Sequence, residues 1–364
     1  VTAVRLRVIV CGVTFGQVYL RGAAGLPEHF ELVGILARGS AHARDCAARH
    51  GVPLYTGVDQ LPPRGVDLAC VVVRAGVVGG VGTELALALL ARGIHVLQEH
   101  PLHHDEVTAC LRAARETGCR YRINSFYPDV APVVRFIDAA RRALALREAV
   151  YLDAACSVHV LYPLVDMLGQ ALGALRPWSF ALQPAGDHGG PFTCIGGRIG
   201  GVPLTLRVQN QLDPADPDNH TQLLHRIALG TTGGTLTLSD THGHVLWHPR
   251  MHLERRDDGV LDLAAEDAAV ALPVGSLLGP AETPTFGAVF RELWPRAIAR
   301  ALLRMHAAIG SDSGDAALNQ YTLASCKAWQ ELGALLGPTR PLAAEAPRPL
   351  PAEALLADAD GLPA

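Results

Sequence analysis

The chain of 364 residues is 49% hydrophobic and 18% charged, with a formal net charge of −4. That balance describes a soluble globular protein of two domains and excludes the strongly basic surface of a nucleic-acid binder. The start of the chain carries no charged-then-apolar pattern and no apolar run is long enough to span a bilayer, so a cytoplasmic location is expected.

In chain order, the first element is residues 7–20, RVIVCGVTFGQVYL. A short apolar strand meets a tight glycine turn and passes directly into a helix beginning near Phe15 or Gly16. Gly12 lets the chain turn without a Cβ clash, and the helix start offers unpaired amides and a positive dipole end to a phosphate. The dinucleotide fingerprint G-x-G-x-x-G is met only in part: Gly12, Thr14 and Gln17 keep its first glycine, with Gly16 one place early. Gly12, Val13, Thr14, Phe15 and Gly16 form the candidate pyrophosphate cradle.

Further apolar strands are predicted over residues 30–37, 67–73, 94–98 and 119–125, with helical spacing over 83–92 and 105–117. The strands are continuous Val, Ile and Leu runs, as expected of a parallel sheet covered on both faces. The first third therefore reads as a doubly wound α/β domain, a Rossmann domain over residues 1–125. Ligands bind at the carboxyl ends of such strands, which places Gly12, Arg38, Arg74, Glu99 to Pro101 and residues 124–127 along one crevice. NAD sites put a carboxylate at the end of the second strand, whereas this chain has Ala37-Arg38-Gly39-Ser40. Arg38 can stack on adenine and pair with a 2′-phosphate, and the Ser40 hydroxyl adds a donor, so NADPH is favoured over NADH. The alternative is a solvated loop arginine.

From about residue 128 the pattern changes. A helix over 131–143 leads into alternating segments over 148–156, 192–197, 204–211, 222–229, 235–238 and 244–247, read as an open, mostly antiparallel sheet. A helix over 162–175 interrupts it, and long helices over 286–309 and 315–336 close an α+β domain assigned to residues 126–337. Residues 338–364, rich in Pro, Ala and acidic side chains, read as a mobile or surface-draped tail. The eight cysteines form no C-x-x-C pair, so neither a disulfide framework nor a zinc site is expected. The series His242, His244, His248 and His252 reads as a strand with imidazoles on its wetter face, and no metal is expected because no carboxylate or cysteine completes a shell.

The fourth strand ends in Gln98-Glu99-His100-Pro101-Leu102, and there the chain resembles the Gfo/Idh/MocA oxidoreductases, whose members join a Rossmann domain to an open antiparallel sheet. Most of that family has Glu-Lys-Pro at this point, with the lysine catalytic. The only lysine here, Lys327, belongs to a C-terminal helix. The sugar-acting branch carries Asp-x-Gly-x-His-x-x-Asp early in its second domain. The corresponding residues 157–166, SVHVLYPLVD, keep only Asp166, with Pro163 in the histidine's place. The thiazolinyl imine reductases of the yersiniabactin and pyochelin type of siderophore pathway depart in the same way. The chain is similar to them along nearly its whole length, most specifically at residues 12–20, 70–74, 79–86, 98–102 and 124–128. The resemblance implies NADPH-dependent reduction of a thiazoline C=N to a thiazolidine, on an intermediate tethered to a carrier protein of a nonribosomal peptide synthetase. A homodimer formed through the open sheet face is implied as well.

Reducing C=N requires a hydride on carbon and a proton on nitrogen. Tyr127 follows the fifth strand and His100 the fourth, so both project into the crevice. Tyr127 is assigned as general acid, with His100 as its partner or the alternative acid. The competing roles are packing at a hinge for Tyr127 and a strand-end cap for His100. Glu99 and Pro101 are expected beside the nicotinamide ribose or in the turn, and Arg74 near cofactor or substrate. Tyr162 and Asp166, on a helix facing the cleft, are the candidate substrate contacts.

Overall fold

β1 (Leu6–Cys11) is followed by α1 (Gly16–Ala24), β2 (Phe30–Leu36), α2 (Ala41–His50), β3 (Leu54–Tyr55), β4 (Leu68–Val71), α3 (Val81–Ala91), β5 (His95–Glu99), α4 (His104–Thr117) and β6 (Tyr121–Asn124). In this computed structural model the strands form one parallel sheet ordered β3-β2-β1-β4-β5-β6, the doubly wound Rossmann arrangement. Residues 4–73, 80–184, 190–213, 216, 218–311, 314–342 and 346–356 are described. Val8, Ile9, Val10 and Cys11 are fully buried because helices cover both faces of the sheet. Each aliphatic side chain so buried contributes about 2 kcal/mol.

α5 (Ala131–Leu146) leads into β7 (Ala149–Ser157), α6 (Leu161–Leu172), β8 (Ser179–Leu182), β9 (Phe192–Ile199), β10 (Val202–Gln209), β11 (Gln211–Leu212), β12 (His225–Thr231), β13 (Gly234–Leu238), β14 (Val245–Pro249) and β15 (Ser276–Leu277). Eight of these strands form a second sheet, β15-β14-β13-β12-β7-β10-β9-β8. Its pairs are antiparallel except β7 with β10, so the sheet is mostly antiparallel, as expected. The cause of the parallel pair is α6, which returns the chain so that the β8-β9-β10 meander ends alongside β7 in the same direction.

α7 (Phe286–Ala288) passes through a π turn at Val289–Leu293 into α8 (Trp294–Ile309), which packs along α1, and α9 (Ala316–Leu336) packs on α4 and α6. One hydrophobic cluster runs without a break from Val8, Val10 and Tyr19 through Phe126 and Leu161 to Leu206, Ile227 and Ile298, joining both sheets. The chain beyond α9 is tied down at its start, where β16 (Arg340–Pro341) pairs in parallel with β11. No helix among the described residues is long and apolar enough to cross a membrane.

Candidate active site

At the carboxyl end of β1, Gly12 takes φ +90° and its amide donates to the Leu36 carbonyl at 2.9 Å. A Cβ at this position would sit 2.4 Å from the Val72 carbonyl oxygen, so only glycine lets the β1 turn approach β4 this closely. α1 begins at Gly16 and no side chain caps its first turn, which leaves amides facing the crevice. Val13 is buried with its carbonyl 3.3 Å from His42 Nε2, and Thr14 is exposed. Phe15 packs edge-on against Phe126 and Trp294, at 5.2 and 5.8 Å between ring centroids, so it ties the cradle to α8. These features fit a dinucleotide pyrophosphate.

Arg38 is exposed at the end of β2, and Ser40 caps α2 by accepting from the Ala43 amide at 3.2 Å. The Ser40 hydroxyl, which accepts there, keeps its own hydrogen to donate. Arg74 lies outside the described residues.

The end of β5 is organised by hydrogen bonds. His100, 8% exposed in its side chain, points Nδ1 at the Asn124 carbonyl (3.1 Å) and at Glu99 Oε1 (3.2 Å), and its bond to Pro101 is cis. Glu99 Oε2 accepts from the Tyr19 hydroxyl, and Asn124 Nδ2 donates to that hydroxyl at 2.6 Å. The Asn124 amide is oriented in turn because its Oδ1 accepts from the Phe126 amide at 3.1 Å. Phe126 takes φ +62°, a strained conformation for an aromatic residue, held by full burial among Phe15, Tyr127 and Trp294.

Tyr127 lies between these rings. Its ring centroid is 4.9 Å from that of His225 and 6.4 Å from that of His100. Burial, then the charges of Asp218 and Glu99, push its phenol up, so the hydroxyl keeps its proton at neutral pH. Tyr162 is stacked on His100 with ring centroids 5.7 Å apart and receives the Cys326 thiol, Sγ to OH 3.8 Å.

Asp166 does not join this group. Its carboxylate accepts from Ser125, Gln170 and Tyr321 and lines a cavity of about 450 Å³ shared with Tyr162, Asn124, Arg122 and Arg304. The structure thus brings His100, Tyr127, Tyr162 and Glu99 together and sets Asp166 in a supporting network behind them.

His225 was not singled out by sequence. It is fully buried; Nε2 donates to the Val160 carbonyl at 2.9 Å, so Nδ1 is the acceptor for Thr241 Oγ1 at 3.0 Å. Burial first pushes its pKa down to about 3. The unfolded chain therefore binds this proton more readily, and the stability involved is complete above the ordinary value near 6.5 and lost as pH falls toward 3. Urea unfolding is expected to weaken from about pH 7 to about pH 4.5 by up to a few kcal/mol, and less so in His225→Gln. Equal slopes for the two proteins would refute the assignment.

The histidine series is also corrected. Only His248 lies in β14; His242 and His244 precede it, because a turn closed by Gly243 N donating to Asp240 O ends the alternation. His242 turns inward and accepts from Trp294 Nε1 at 3.0 Å, and His244 Nε2 lies 2.8 Å from the Ala281 carbonyl. Lys327 is exposed on α9.

Residues 6–125 match the family model of the Gfo/Idh/MocA oxidoreductases with an NAD-binding Rossmann fold. The cradle and the parallel sheet define an NAD(P)-binding oxidoreductase, and the chain belongs to the Gfo/Idh/MocA family. Its second domain carries the further mark: residues 147–248 match the C-terminal model of the Irp3-like thiazolinyl imine reductases. UDP-N-acetylglucosamine 3-dehydrogenase GnnA from Acidithiobacillus ferrooxidans is similar in structure, 15% identical with TM-score 0.62, over 92% of this chain and 100% of that one. GenD2 from gentamicin A biosynthesis, in complex with NAD, is 15% identical with TM-score 0.61 over 91% and 93% of the two chains. An Agrobacterium radiobacter oxidoreductase in complex with NAD+, L-tartaric acid and magnesium is 13% identical with TM-score 0.61 over 91% and 97%. At these identities the likeness shows the fold. Among curated protein sequences none matches the chain.

Proposed function

We propose that this protein reduces a thiazoline C=N bond to a thiazolidine with NADPH, on an intermediate tethered to the carrier protein of a nonribosomal peptide synthetase, in siderophore or related natural-product biosynthesis. The observation that carries the reading is the Irp3-like match of the second domain. His100, standing where most of the larger family has lysine, supports it.

When bound, NADPH supplies the hydride that adds to the imine carbon. The chain does the rest. Gly12 and the amides at the start of α1 would hold the pyrophosphate, with Glu99 and Pro101 toward the nicotinamide end. Tyr127 acts as general acid toward the imine nitrogen, with His100 as its partner or as the alternative acid, and solvent returns the spent proton. Tyr162 forms the wall against which His100 stacks. Asp166, the other candidate substrate contact, lines one cavity with Tyr162 and also accepts from Ser125 and Tyr321. The reading includes a cytoplasmic homodimer paired through the open sheet face.

Arg38 and Ser40 favour NADPH. Arg38→Ala is expected to raise the NADPH Kd about 10- to 100-fold with little effect on NADH, since a charge-assisted contact to the 2′-phosphate contributes about 1.5–3 kcal/mol. Fluorescence titration with both cofactors measures this, and parallel losses would refute the phosphate contact.

The deciding experiment follows NADPH oxidation with a synthetic 2-aryl-thiazolinyl-thiazoline thioester, against NADH and a panel of sugars. Oxidation by NADPH with that thioester alone, and a thiazolidine product, is the expected result. A second reading, a dehydrogenase of a free sugar or imine, is favoured by the likeness to the named sugar-nucleotide dehydrogenase, and activity on a free substrate would establish it. Tight NADPH binding with no turnover of anything would point to a regulator.

A further inference from the structure

Every hydrogen bond around His100 has a direction. The Phe126 amide donates to Asn124 Oδ1, so Asn124 presents its NH2 to the Tyr19 oxygen. The Tyr19 hydrogen must then go to Glu99 Oε2, and burial beside Glu99 holds that phenol well above its usual range. Glu99 Oε1 is left facing His100 Nδ1, which also meets the Asn124 carbonyl. Both neighbours of Nδ1 are acceptors only, so Nδ1 carries a hydrogen whether the ring is neutral or charged.

We propose that Glu99, locked by Tyr19 and Asn124, is a positioning residue that, together with the Asn124 carbonyl, fixes the tautomer of His100 and makes Nε2 the nitrogen through which the reaction's proton passes. This rests on the reductase reading for its chemistry, although the tautomer itself does not depend on any substrate. In the step, the N–H bond at Nε2 breaks and its proton goes to the imine nitrogen, directly or by way of Tyr127. The ring is left neutral with its hydrogen on Nδ1, and water reloads Nε2. The assignment departs from a ribose-binding role for Glu99, since its two oxygens face inward partners.

Around His100 the facing groups are Glu99, Tyr19, Tyr127, Tyr162 and His225. Glu99→Gln separates the two roles. Tyr19 still requires an acceptor, so the amide oxygen takes the Oε2 place and the amide NH2 is forced against Nδ1, hydrogen to hydrogen. The Asn124 carbonyl alone then holds the hydrogen on Nδ1, opposed by the amide NH2, so the Nε2 tautomer gains population.

The test is nitrogen NMR of the full chain labelled with 15N-histidine, with His100→Gln to identify the signals, alongside NADPH titration and kcat. In the parent protein the neutral His100 is expected to carry hydrogen on Nδ1. Glu99→Gln is expected to raise the share of the Nε2 tautomer, against the retained Asn124 carbonyl, and to lower kcat about 100-fold, with the NADPH Kd changed less than twofold. Tyr19→Phe, which keeps the carboxylate but loosens it, should retain the Nδ1 tautomer and lose about 10-fold in kcat. It also serves where Glu99→Gln does not fold. A neutral parent ring with hydrogen on Nε2 overturns the proposal. So does a Glu99→Gln protein whose NADPH Kd rises tenfold with the tautomer unchanged, since that is a ribose ligand's behaviour. If thiazoline reduction is the wrong reaction, the thioester assay is silent while the tautomer result stands.

Discussion

Tyr127→Phe is expected to bind NADPH as the parent protein does and to turn over the thioester about 100- to 1,000-fold more slowly. The substitution removes one oxygen and keeps the ring that packs between Phe126 and His225, so the fold has little reason to respond. What it removes is a hydroxyl that burial keeps protonated, in a site lined by other rings. General acid catalysis by a positioned group contributes roughly 10²–10⁴-fold, and the lower part of that range applies where a neighbouring acid can substitute in part. His100 is that neighbour. If the two act as one relay, the double variant Tyr127→Phe with His100→Gln loses little more than the worse single variant. Losses that multiply would mean two independent contributions, and unchanged turnover in Tyr127→Phe would remove the residue from the mechanism.

Gly12→Ala should cost the protein its cofactor. The added Cβ falls 2.4 Å from the Val72 carbonyl, on rigid backbone rather than on the tip of a flexible side chain. An alanine at φ +90° is strained besides, by about 1–2 kcal/mol. The turn after β1 must therefore pull away from β4, and the amides at the start of α1 move with it. If those amides are the phosphate donors, as proposed, the NADPH Kd rises about 100-fold or more, roughly the value of two lost charge-assisted hydrogen bonds. Titration of nicotinamide fluorescence measures the loss, with circular dichroism to show that the sheets persist. An unchanged Kd would place the pyrophosphate elsewhere.

Much of the first sheet was legible because buried parallel strands leave apolar runs, and β1, β2, β4, β5 and β6 each overlap a predicted run, β1 starting one residue earlier and β5 ending one residue later. α2 and β3 were not. The former, AHARDCAARH, offers no apolar stripe and buries only Ala43, Cys46 and Ala47, and the latter is two residues long. In the second sheet the alternation exposed six of the eight strands, missing the short β8 and β15, but not their partners, because the parallel β7–β10 pair depends on a crossover that no local pattern records.

The site divides similarly. Strand ends marked the places of His100 and Tyr127. His225 left no mark: it sits in an ordinary alternating strand, and its importance comes from Thr241 and Val160, residues brought near only by folding. Asp166 matched one letter of a familiar motif, yet helix position alone could not say that Ser125 and Tyr321 would claim its oxygens. Glu99 was placed near the cofactor by topology, while its real neighbours, Tyr19 and Asn124, come from the first helix and the last strand of the sheet.

The hydrophobic cluster that joins the two sheets has a thermodynamic meaning. Val8 and Val10 of the nucleotide sheet share one apolar interior with Leu206 and Ile227 of the other, and Phe126 and Ile298 bridge them. Loosening either sheet would hydrate the contacts that hold its neighbour, so the free energy of each is borrowed from the other. The molecule is in that sense one cooperative unit of folding with two architectures, and the crevice between them is a seam in a common interior rather than a hinge between independent bodies.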